Sequence, residues 1–553
     1  MQNRIIFPSL LIFCVSLLFG CAKIATPTGG QRDVTAPKII TVSPNNNSVK
    51  FEGNLIKISF DEYFTLNNPT ENILFSPPLS KSPEYSIKGK TLVIKFKDTL
   101  QPQTTYNILF SNAIKDYHEG NPLGMFHYSF STGDSIDRFK IKGKIVDAKK
   151  LESSKDFFVM LYKNNIDSLP LTSLPNYITK SNDKGDFVFN NISPGSYKIF
   201  AIKDINSNNK YDLPNEEIAF LDTIVYSYSS DLDSLSDNLK ISIPDLTLYS
   251  FVATDTIQKL QRYENPMAGI YIFPYKIPVE VFSATGLNNS YQYFEKFNTS
   301  RDTVTWYFKQ TVKDSLLFKL VADNQVDTVI LKPYTQKQVR GRNRVKEETK
   351  LKVTAINKGE YNKPLTLRFS YPIQPIDSFD VMICTIGKNN NDTIIRKFSV
   401  PDSFVTQIAI PLEYIEKKSY TILIRDSIFW GYNNTTNDSL KIDFVAKALK
   451  DYGTLTMNYT IPSDGKRYVA TLYKGETPII TNNLSSSETI SYPFLNPDSY
   501  KIVIFCDDNE NGKWDSGDYY NKKQAEKTFI FPQTITIRAY WESEETFDLR
   551  EFK

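Results

Sequence analysis

The feature of this sequence that most constrains its fold is an internal repeat. Residues 105–110 (TYNILF) match residues 419–424 (SYTILI), and at the same offset residues 126–130 match residues 440–444. In both later segments apolar and polar side chains alternate, which is the pattern of a strand with one buried face. The chain therefore contains two copies of a strand-rich domain.

A second pair of copies follows these segments. The run SYKI occurs at residues 196–199 and again at residues 499–502. Each run leads into a loop rich in Asp and Asn, at residues 204–212 and 507–515. With a middle segment C between the two halves, the chain has the order A–B–C–A′–B′.

These copies predict an all-β protein of tandem β-sandwich domains. Short strands between Asn, Asp, Pro and Ser turns are typical of sandwiches. The 553 residues allow three to five domains at about 150 residues each. The predicted boundaries are a signal peptide at 1–20, a tether at 21–36, domain A at 37–134, domain B at 137–246, a middle β domain C of undefined type at 247–346, domain A′ at 349–447 and domain B′ at 450–553.

The amino terminus is predicted to be a lipoprotein signal peptide. Arg4 precedes an apolar run over residues 5–19, which is shorter than the roughly 20 residues that a spanning helix needs. The run ends in Leu-Phe-Gly-Cys at residues 18–21, which resembles the bacterial lipobox. The resemblance implies cleavage before Cys21, acylation of that residue by chains such as palmitate, and a lipid anchor in the membrane. The alternative is an ordinary secretory signal with Cys21 free.

The residues after Cys21 predict a flexible tether, since residues 27–30 (PTGG) are small or turn-forming. Residues 22–24 (AKI) lack the acidic cluster that favours surface export in some Bacteroidota lipoproteins. We therefore expect a protein anchored in the outer membrane. The folded domains then lie on either the periplasmic or the extracellular face, and both alternatives are kept.

Two further cysteines, Cys384 and Cys506, lie in apolar runs that are predicted to be strands. Because a buried cysteine behaves as a small hydrophobe, we expect two buried free thiols. A disulfide between them, formed in an oxidising envelope, is the alternative.

Domain A resembles the bacterial Ig-like domains of the Big_5 type. The resemblance rests on residues 58–62 (ISFDE), on residues 100–106 (LQPQTTY) and on a closing pattern. That pattern runs from Asp116 through Gly-Asn-Pro at residues 120–122 to the aromatic strand at residues 128–132. Domain A′ lacks the Gly-Asn-Pro and is a degenerate copy.

Domains B and B′ resemble the transthyretin-like or carboxypeptidase-regulatory-like sandwiches of secreted proteins. The resemblance rests on residues 185–187 (GDF) and 194–197 (PGSY). The whole layout is similar to that of Bacteroidota Ig-like domain lipoproteins. This resemblance implies scaffolds or binding modules, and a fold alone does not define a function.

The Asp- and Asn-rich loop of B′ has its oxygen atoms at the spacing of a calcium loop. The candidate ligands are Asp507, Asn509, Asn511, Lys513 through its carbonyl, Asp515 and Asp518. Calcium takes six to eight oxygen ligands, and Gly512 stands where such a loop turns. Because no Glu stands at the twelfth position, we expect weak to moderate affinity. The alternative is an Asx-rich turn that holds its own backbone. The role is structural in both cases.

The loop of B repeats this pattern less completely. Its candidate calcium ligands are Asp204, Asn206, Asn208, Lys210 and Asp212. Asn209 replaces the glycine and Asn215 replaces the terminal acid, so this loop is the weaker match.

Composition and motifs disfavour an enzyme. The chain has 2 histidines, and neither His118 nor His127 accompanies a Ser or Cys nucleophile motif. Asp61 and Glu62 are adjacent at a predicted strand end, where neighbouring side chains point to opposite faces. A net charge of +3 also argues against nucleic acid as a partner. An enzyme with its site in domain C is a distant alternative.

From the sequence we therefore expect a lipid-anchored interaction or scaffold protein with a protein partner in the outer membrane. One version is an accessory subunit of an outer-membrane β-barrel machine for barrel assembly or nutrient import. The alternative is a surface adhesin or glycan-binding lipoprotein, which predicts exposed aromatic rings.

Overall fold

The computed structural model describes residues 33–229, 246–253, 258–288, 291–335, 350–386, 391–400 and 405–552, with backbone alone for residues 384–386, 391 and 392. Cys21 and the predicted signal peptide lie outside the described residues. Within these ranges no helix is long and apolar enough to cross a bilayer. Nearly all regular elements are β-strands, which confirms the predicted class of tandem β-sandwiches.

The chain divides into two compact units, which are treated separately below. The first comprises Met1–Ile145, Lys155–Tyr211 and Phe220–Leu248, and the second comprises Val146–Ser154, Asp212–Ala219 and Tyr249–Lys553.

Domain A, in the first unit, is built from small antiparallel sheets. Its elements are β1 (Ile39–Ser43), β2 (Leu55–Phe60), β3 (Phe64–Leu66), α1 (Pro69–Asn72), β4 (Ile73–Ser76), β5 (Glu84–Lys88), β6 (Thr91–Lys95), β7 (Thr105–Phe110), β8 (Ile114–Asp116) and β9 (Phe126–Ser131). One sheet has the order β1-β2-β6-β5, another has the order β4-β7-β9, and β3 pairs with β8. Ile58, Ile108 and Phe130 from these strands meet in one core, because alternate strand residues face inward.

Domain B follows with another set of short strands. Its elements are β10 (Phe139–Asp147), β11 (Phe158–Tyr162), α2 (Leu169–Thr172), β12 (Tyr177–Lys180), β13 (Asp186–Ile192), β14 (Ser196–Lys203), β15 (Glu217–Phe220), β16 (Val225–Tyr226), β17 (Tyr228–Ser229) and β18 (Leu246–Val252). Strand β18 extends past the expected boundary at residue 246. In the first unit β10 pairs with β13, and β11 pairs with β12 and β14, all antiparallel.

Domain C, whose type the sequence left undefined, has two sheets around its own core. Its strands are β19 (Glu264–Met267), β20 (Ile270–Pro274), β21 (Phe282–Gly286), β22 (Tyr293–Phe297), β23 (Thr303–Phe308), β24 (Leu316–Ala322) and β25 (Gln325–Leu331). The sheets have the orders β19-β20-β23-β22 and β21-β24-β25. Trp306 lies at the centre, in ring contact with Phe273 and Phe318.

Domain A′ again has two sheets, with the orders β26-β27-β30 and β29-β28-β31-β32. Its strands are β26 (Val353–Ile356), β27 (Leu365–Ile373), β28 (Ile376–Ile386), β29 (Asn391–Val400), β30 (Val405–Ile410), β31 (Ser419–Ile424) and β32 (Leu440–Val445).

Domain B′ completes the second unit. Its strands are β33 (Gly453–Thr460), β34 (Arg467–Lys474), β35 (Thr477–Leu484), β36 (Glu488–Leu495), β37 (Asp498–Asp507), β38 (Thr528–Ile530), β39 (Ile535–Ile537) and β40 (Glu542–Asp548), with short 3-10 helices at Leu449–Asp451 and Leu549–Glu551. The sheets run β36-β33-β40 and β35-β34-β37-β38. Strand β40 pairs with β33 in parallel.

The internal repeat reappears in the strand pairing. Thr105 faces Ser131 where β7 pairs with β9, and the matching residues Ser419 and Val445 face each other where β31 pairs with β32. The pairs β10–β13 and β33–β36 each carry a register shift near their start. Matching segments therefore adopt the same register, as expected when the same apolar positions must face a core.

Candidate functional sites in the loops and domain junctions

The predicted calcium loop of B′ leaves β37 at Asp507 and is closed by hydrogen bonds to its own backbone. The buried Asp507 carboxylate accepts from the backbone N–H groups of Asn511 at 3.1 Å and Gly512 at 2.9 Å. The Asn511 side chain accepts from the N–H of Lys513 at 2.7 Å. Gly512 has a φ of +73°, in the left-handed region that glycine adopts without steric cost.

The remaining predicted ligands of B′ make separate contacts. Asp515 accepts the side-chain amides of Asn509 and Asn511, the second at 2.8 Å. Asp518 binds the backbone and side-chain N–H groups of Asn521, so it belongs to the next turn. Across the described ranges no three His, Cys, Asp or Glu side chains are grouped to hold a metal ion. The oxygen atoms serve Asx turns in this arrangement, and calcium binding stays a prediction.

The loop of B has the same hydrogen-bond pattern. Asp204 accepts from the N–H groups of Asn208 at 3.3 Å and Asn209 at 2.6 Å, and the Asn208 side chain accepts from the N–H of Lys210 at 2.8 Å. Asn209 has a φ of +57° at the position of Gly512, and Asn is the side chain that best tolerates this region. Asp212 belongs to the second unit.

Sequence reasoning missed a buried glutamate at the end of each loop. Glu526 accepts the backbone N–H groups of Asp508 and Asp515, each at 2.9 Å, and so joins the two ends of the B′ loop. Burial raises the pKa of Glu526, although these hydrogen bonds oppose the shift. Glu216 is also buried and accepts two backbone N–H groups within the second unit. The available signal was the repeat itself, since both glutamates shortly precede an apolar strand.

The other singled-out side chains do not form a reactive group. Cys506 is a buried free thiol, as predicted, and burial raises its pKa to about 12, which keeps it unreactive at neutral pH. The side chain of Cys384 lies outside the described residues. Asp61 and Glu62 lie in a bend after β2, and burial together with the Asp61 carboxylate raises the pKa of Glu62. Burial lowers the pKa of His127.

Domains C and A′ share a buried tyrosine. The hydroxyl of Tyr371, on β27, lies 2.9 Å from the carbonyl oxygen of Gly269 and 2.7 Å from that of Phe308, both in domain C. The glycine is required there, because a Cβ on it would lie 2.6 Å from the tyrosine hydroxyl. Ile270 of β20 also belongs to the apolar core of A′. The two domains are therefore joined through a continuous core.

Domains A′ and B′ meet at a partly buried polar cluster. Glu360 accepts from the ammonium of Lys447 at 2.6 Å and from the hydroxyl of Tyr452 at 2.8 Å. Lys447 also donates to the side chain of Asn496 at 2.7 Å. Burial favours a raised pKa for Glu360, but the hydrogen bonds from Lys447 and Tyr452 outweigh it and lower the pKa. The carboxylate is therefore ionised and paired at neutral pH.

In the first unit, domains A and B are linked by side-chain amides and hydroxyls. Asn107 donates to the carbonyl of Asn191 at 3.3 Å, and the side chain of Asn191 donates to the hydroxyl of Ser129 at 2.9 Å. The buried hydroxyl of Ser76 accepts from the N–H of Ile178 at 3.0 Å. These contacts connect β4, β7 and β9 of domain A with β12 and β13 of domain B.

Comparison with known families gives one match, which covers residues 33–132 and is described as a bacterial Ig-like domain. No curated protein matches the chain. The matched segment coincides with the sheets of domain A and with the Gly-Asn-Pro turn.

Solved structures resemble the chain only remotely. The N-terminal part of the bacterial S-layer protein SbsC is 14% identical over 32% of this chain and 42% of that chain, with a TM-score of 0.14. Alpha-2-macroglobulin of Escherichia coli, domains MG0-NIE-MG1, is 8% identical over 50% of this chain and 96% of that chain, with a TM-score of 0.18. The pilin BcpA of Bacillus cereus is 8% identical over 74% and 99%, with a TM-score of 0.16.

The chain thus spans less than half of the SbsC fragment, and scores this low support no inference about function. The family match does not depend on these structures, since it rests on the sequence of residues 33–132 in domain A. It confirms that residues 33–132 are similar to the bacterial Ig-like domain.

Proposed function

We propose that this protein is a lipid-anchored scaffold of the bacterial outer membrane that holds its binding surfaces on stiff runs of β-sandwiches. The observation that carries the proposal is the way successive sandwiches are joined within each unit. Domains linked only by flexible segments move relative to one another by default. Here Tyr371 joins C to A′ through a shared core, and Glu360 joins A′ to B′ through partly buried hydrogen bonds.

The anchor in this proposal is Cys21, supported by the lipobox-like sequence Leu-Phe-Gly-Cys at residues 18–21. Two or more acyl chains give stable membrane attachment, which one chain does not. The tether at residues 21–36 then separates the first sandwich from the membrane surface. Whether the folded domains face the periplasm or the medium is a question for protease protection of intact cells.

The partner in this proposal is a protein of the outer membrane, such as a β-barrel machine for barrel assembly or nutrient import. A stiff accessory subunit suits such a role because it positions a docking surface without paying ordering entropy at each encounter. The competing function is a free-standing adhesin or glycan-binding lipoprotein. An exposed tyrosine pair on domain A, Tyr63 and Tyr117, favours that second candidate.

Anchoring is tested by Cys21→Ala, with Cys506→Ala as a matched cysteine control. We expect wild type and the control to be recovered in the detergent-soluble membrane fraction. We also expect both to incorporate an alkyne-labelled palmitate. Cys21→Ala is expected to lose the label and the membrane fraction together. Unchanged fractionation and labelling of Cys21→Ala would refute the lipid anchor.

The partner is tested by cross-linking mass spectrometry on the natively expressed, tagged protein in gentle detergent. Stoichiometric recovery of an outer-membrane barrel, with cross-links to one domain, is the expected result for an accessory subunit. Recovery of the protein without a stoichiometric partner would contradict the subunit role and would favour the glycan-binding function.

A further inference from the structure

Two exposed tyrosines stand side by side at one end of domain A. Tyr63 directly precedes β3 and Tyr117 directly follows β8, and the N–H of Tyr117 donates to the carbonyl of Tyr63 at 3.1 Å. Since Phe64 faces Asp116 in this antiparallel pair, the two tyrosines are the next opposed residues along it. Opposed residues of an antiparallel pair place their side chains on the same face.

The rings are open to solvent although the strands beneath them are buried. Tyr63 is 59% exposed and Tyr117 is 63% exposed, while Phe64 on the inner face is 3% exposed. Together with Ile87 and His118 the tyrosines line a groove of about 600 Å³. A groove of this size matches the range of small-ligand clefts, about 300–1,000 Å³.

Tyr117 is held in place by the turn that follows Asp116 and contains the Gly-Asn-Pro of residues 120–122. The buried carboxylate of Asp116 accepts the backbone N–H groups of four successive residues, His118 to Asn121, at 2.6–3.1 Å. The N–H of Leu123 returns to the carbonyl of Ile114 at 2.9 Å. A ring carried on such a turn needs little further ordering when a ligand binds.

The charges around the groove are of both signs. The ammonium of Lys90 lies 5.5 Å from the centre of the Tyr63 ring and donates to the carbonyl of Asp61 at 2.6 Å. Glu62 and Glu119 lie next in sequence to Tyr63 and His118. Burial and the carboxylates of Asp61, Asp116 and Glu119 raise the pKa of Glu62, so acidic groups cluster here and disfavour an anionic ligand. The Lys90 ammonium over the Tyr63 ring opposes a cationic ligand. A neutral ligand rich in hydroxyl groups donates to the carboxylates and accepts from the ammonium.

We propose that the Tyr63–Tyr117 groove binds a neutral saccharide, whose pyranose rings stack on the two tyrosines while its hydroxyls bond to the charged rim. Exposed aromatic rings offer large apolar faces at low entropic cost, which suits the apolar face of a sugar ring. The inference goes beyond the scaffold role and holds whether or not Cys21 is acylated. It gives the glycan-binding candidate a site and a ligand class.

The test is calorimetric titration of the full-length, detergent-solubilised protein. The probes are maltohexaose, cellohexaose and chitohexaose, with heparin as the anionic probe and hexalysine as the cationic probe, and a glycan array widens the neutral set. We expect binding of at least one neutral saccharide, and a loss of at least tenfold in affinity for Tyr63→Ala and for Tyr117→Ala.

Two kinds of variant separate a lost contact from a lost fold. Tyr117→Phe keeps the ring and is expected to keep affinity within about threefold of wild type, in line with a stacking role. Tyr226→Ala removes a 73% exposed tyrosine elsewhere in the first unit and should leave binding unchanged. Binding of heparin or hexalysine alone, no binding of any neutral saccharide, or binding that survives the Tyr63→Ala and Tyr117→Ala double variant would each overturn the proposal. None of these results depends on the fractionation of Cys21→Ala, so the two proposals fail separately.

Discussion

Tyr371 shows how a single polar atom joins two domains. Its side chain is 1% exposed, and its hydroxyl lies within hydrogen-bond distance of the carbonyls of Gly269 and Phe308. Burial raises the pKa of this phenol, so the hydroxyl keeps its proton and remains a donor across the physiological range. The ring also packs against Tyr307 with 5.3 Å between ring centres. The residue therefore stabilises the contact by packing and by hydrogen bonding together.

The variant Tyr371→Phe isolates the hydrogen-bonding part. It removes the donor to the Phe308 carbonyl, while the Gly269 carbonyl still accepts from the N–H of Phe308 at 2.8 Å. A buried polar group left unsatisfied costs about 1–3 kcal/mol. We expect the free energy of unfolding of the C–A′ region, measured by urea titration, to fall by that amount. Tyr226→Phe, at an exposed tyrosine, is the matched control and should change stability by less than about 0.5 kcal/mol. Equal effects of the two variants would contradict the assignment.

At the scale of elements, the polar chemistry of this chain is concentrated where strands end. The loops after β14 and β37 share one pattern, an Asp that accepts two backbone N–H groups and an Asn that accepts a third. These side chains satisfy backbone N–H groups of the loop, which have no neighbouring strand to pair with. At the junction between A′ and B′, Glu360 instead accepts from the side chains of Lys447 and Tyr452.

Metal removal tests the calcium prediction for the loop after β37. The ligand spacing predicts that excess Ca²⁺ raises the Tm relative to EDTA, and that Mg²⁺ raises it less because Mg²⁺ demands stricter octahedral geometry. Asp515→Ala should abolish the calcium-dependent rise. Asp507→Ala should lower the Tm in EDTA as well, because its carboxylate holds two backbone N–H groups. A Tm that is the same in Ca²⁺ and EDTA would mean that the Asx turns alone stabilise the loop.

The Glu360 cluster predicts an acid-sensitive junction. A carboxyl whose folded-state pKa is lowered stabilises the fold fully above its ordinary pKa of 4.5, and this stability is lost as the pH falls through the lowered value. Glu360→Gln removes the charge at every pH. We therefore expect the Tm difference between wild type and Glu360→Gln to be largest at neutral pH and to vanish in acid. A difference that grows on acidification would have the opposite sign and exclude the cluster as its source.

At the scale of the whole molecule, the described residues form several cores rather than one. Domain A has a core that includes Ile58, and domain A′ has a separate core that includes Leu367 and takes in Ile270 from domain C. Large single cores do not grow beyond roughly 250–300 residues, so a chain of this length divides its apolar residues among domains. Because Ile270 crosses from C to A′, these two domains should lose structure together.

Core substitutions test this division by scanning calorimetry. Ile58→Ala and Leu367→Ala each remove a fully buried side chain and should cost about 2–5 kcal/mol. We expect Ile58→Ala to shift one thermal transition and Leu367→Ala to shift a different one. Tyr371→Phe should shift the same transition as Leu367→Ala. A single transition that all three variants shift equally would contradict separate cores.

Much of the fold was predictable because the chain contains an internal repeat, so that one half of the sequence can be aligned with the other. The match of residues 105–110 with 419–424 identifies β7 and β31, and alternation at 126–130 identifies the inner face of β9. Such local patterns depend on which residues alternate within a few positions, so they can be recognised without knowing the tertiary contacts. The loop residues Asp507 and Asp204 were singled out for the same reason, since they stand at matching places in the two copies.

The contacts that suggest function were not predictable in the same way. Nothing near Tyr371 in the sequence indicates that its hydroxyl meets carbonyls of another domain. The repeat could single out Glu526, but it does not show that this residue closes the loop that begins at Asp507. Tyr63 and Tyr117 are separated by most of domain A and become neighbours only when β3 pairs with β8. Such contacts depend on strand order, which a repeat pattern does not encode.

By itself, the amino-acid sequence determined the β class, the repeated order of the domains and the Asx-rich loops, because alternation, turn residues and internal copies are local or self-comparing properties. The tertiary structure alone decided which tyrosines are buried between domains and which stand exposed on a face. Exposure is a property of all the residues packed around a side chain, and those residues come from distant parts of the chain. Tyr371 and Tyr117 are the same residue type with opposite roles for that physical reason.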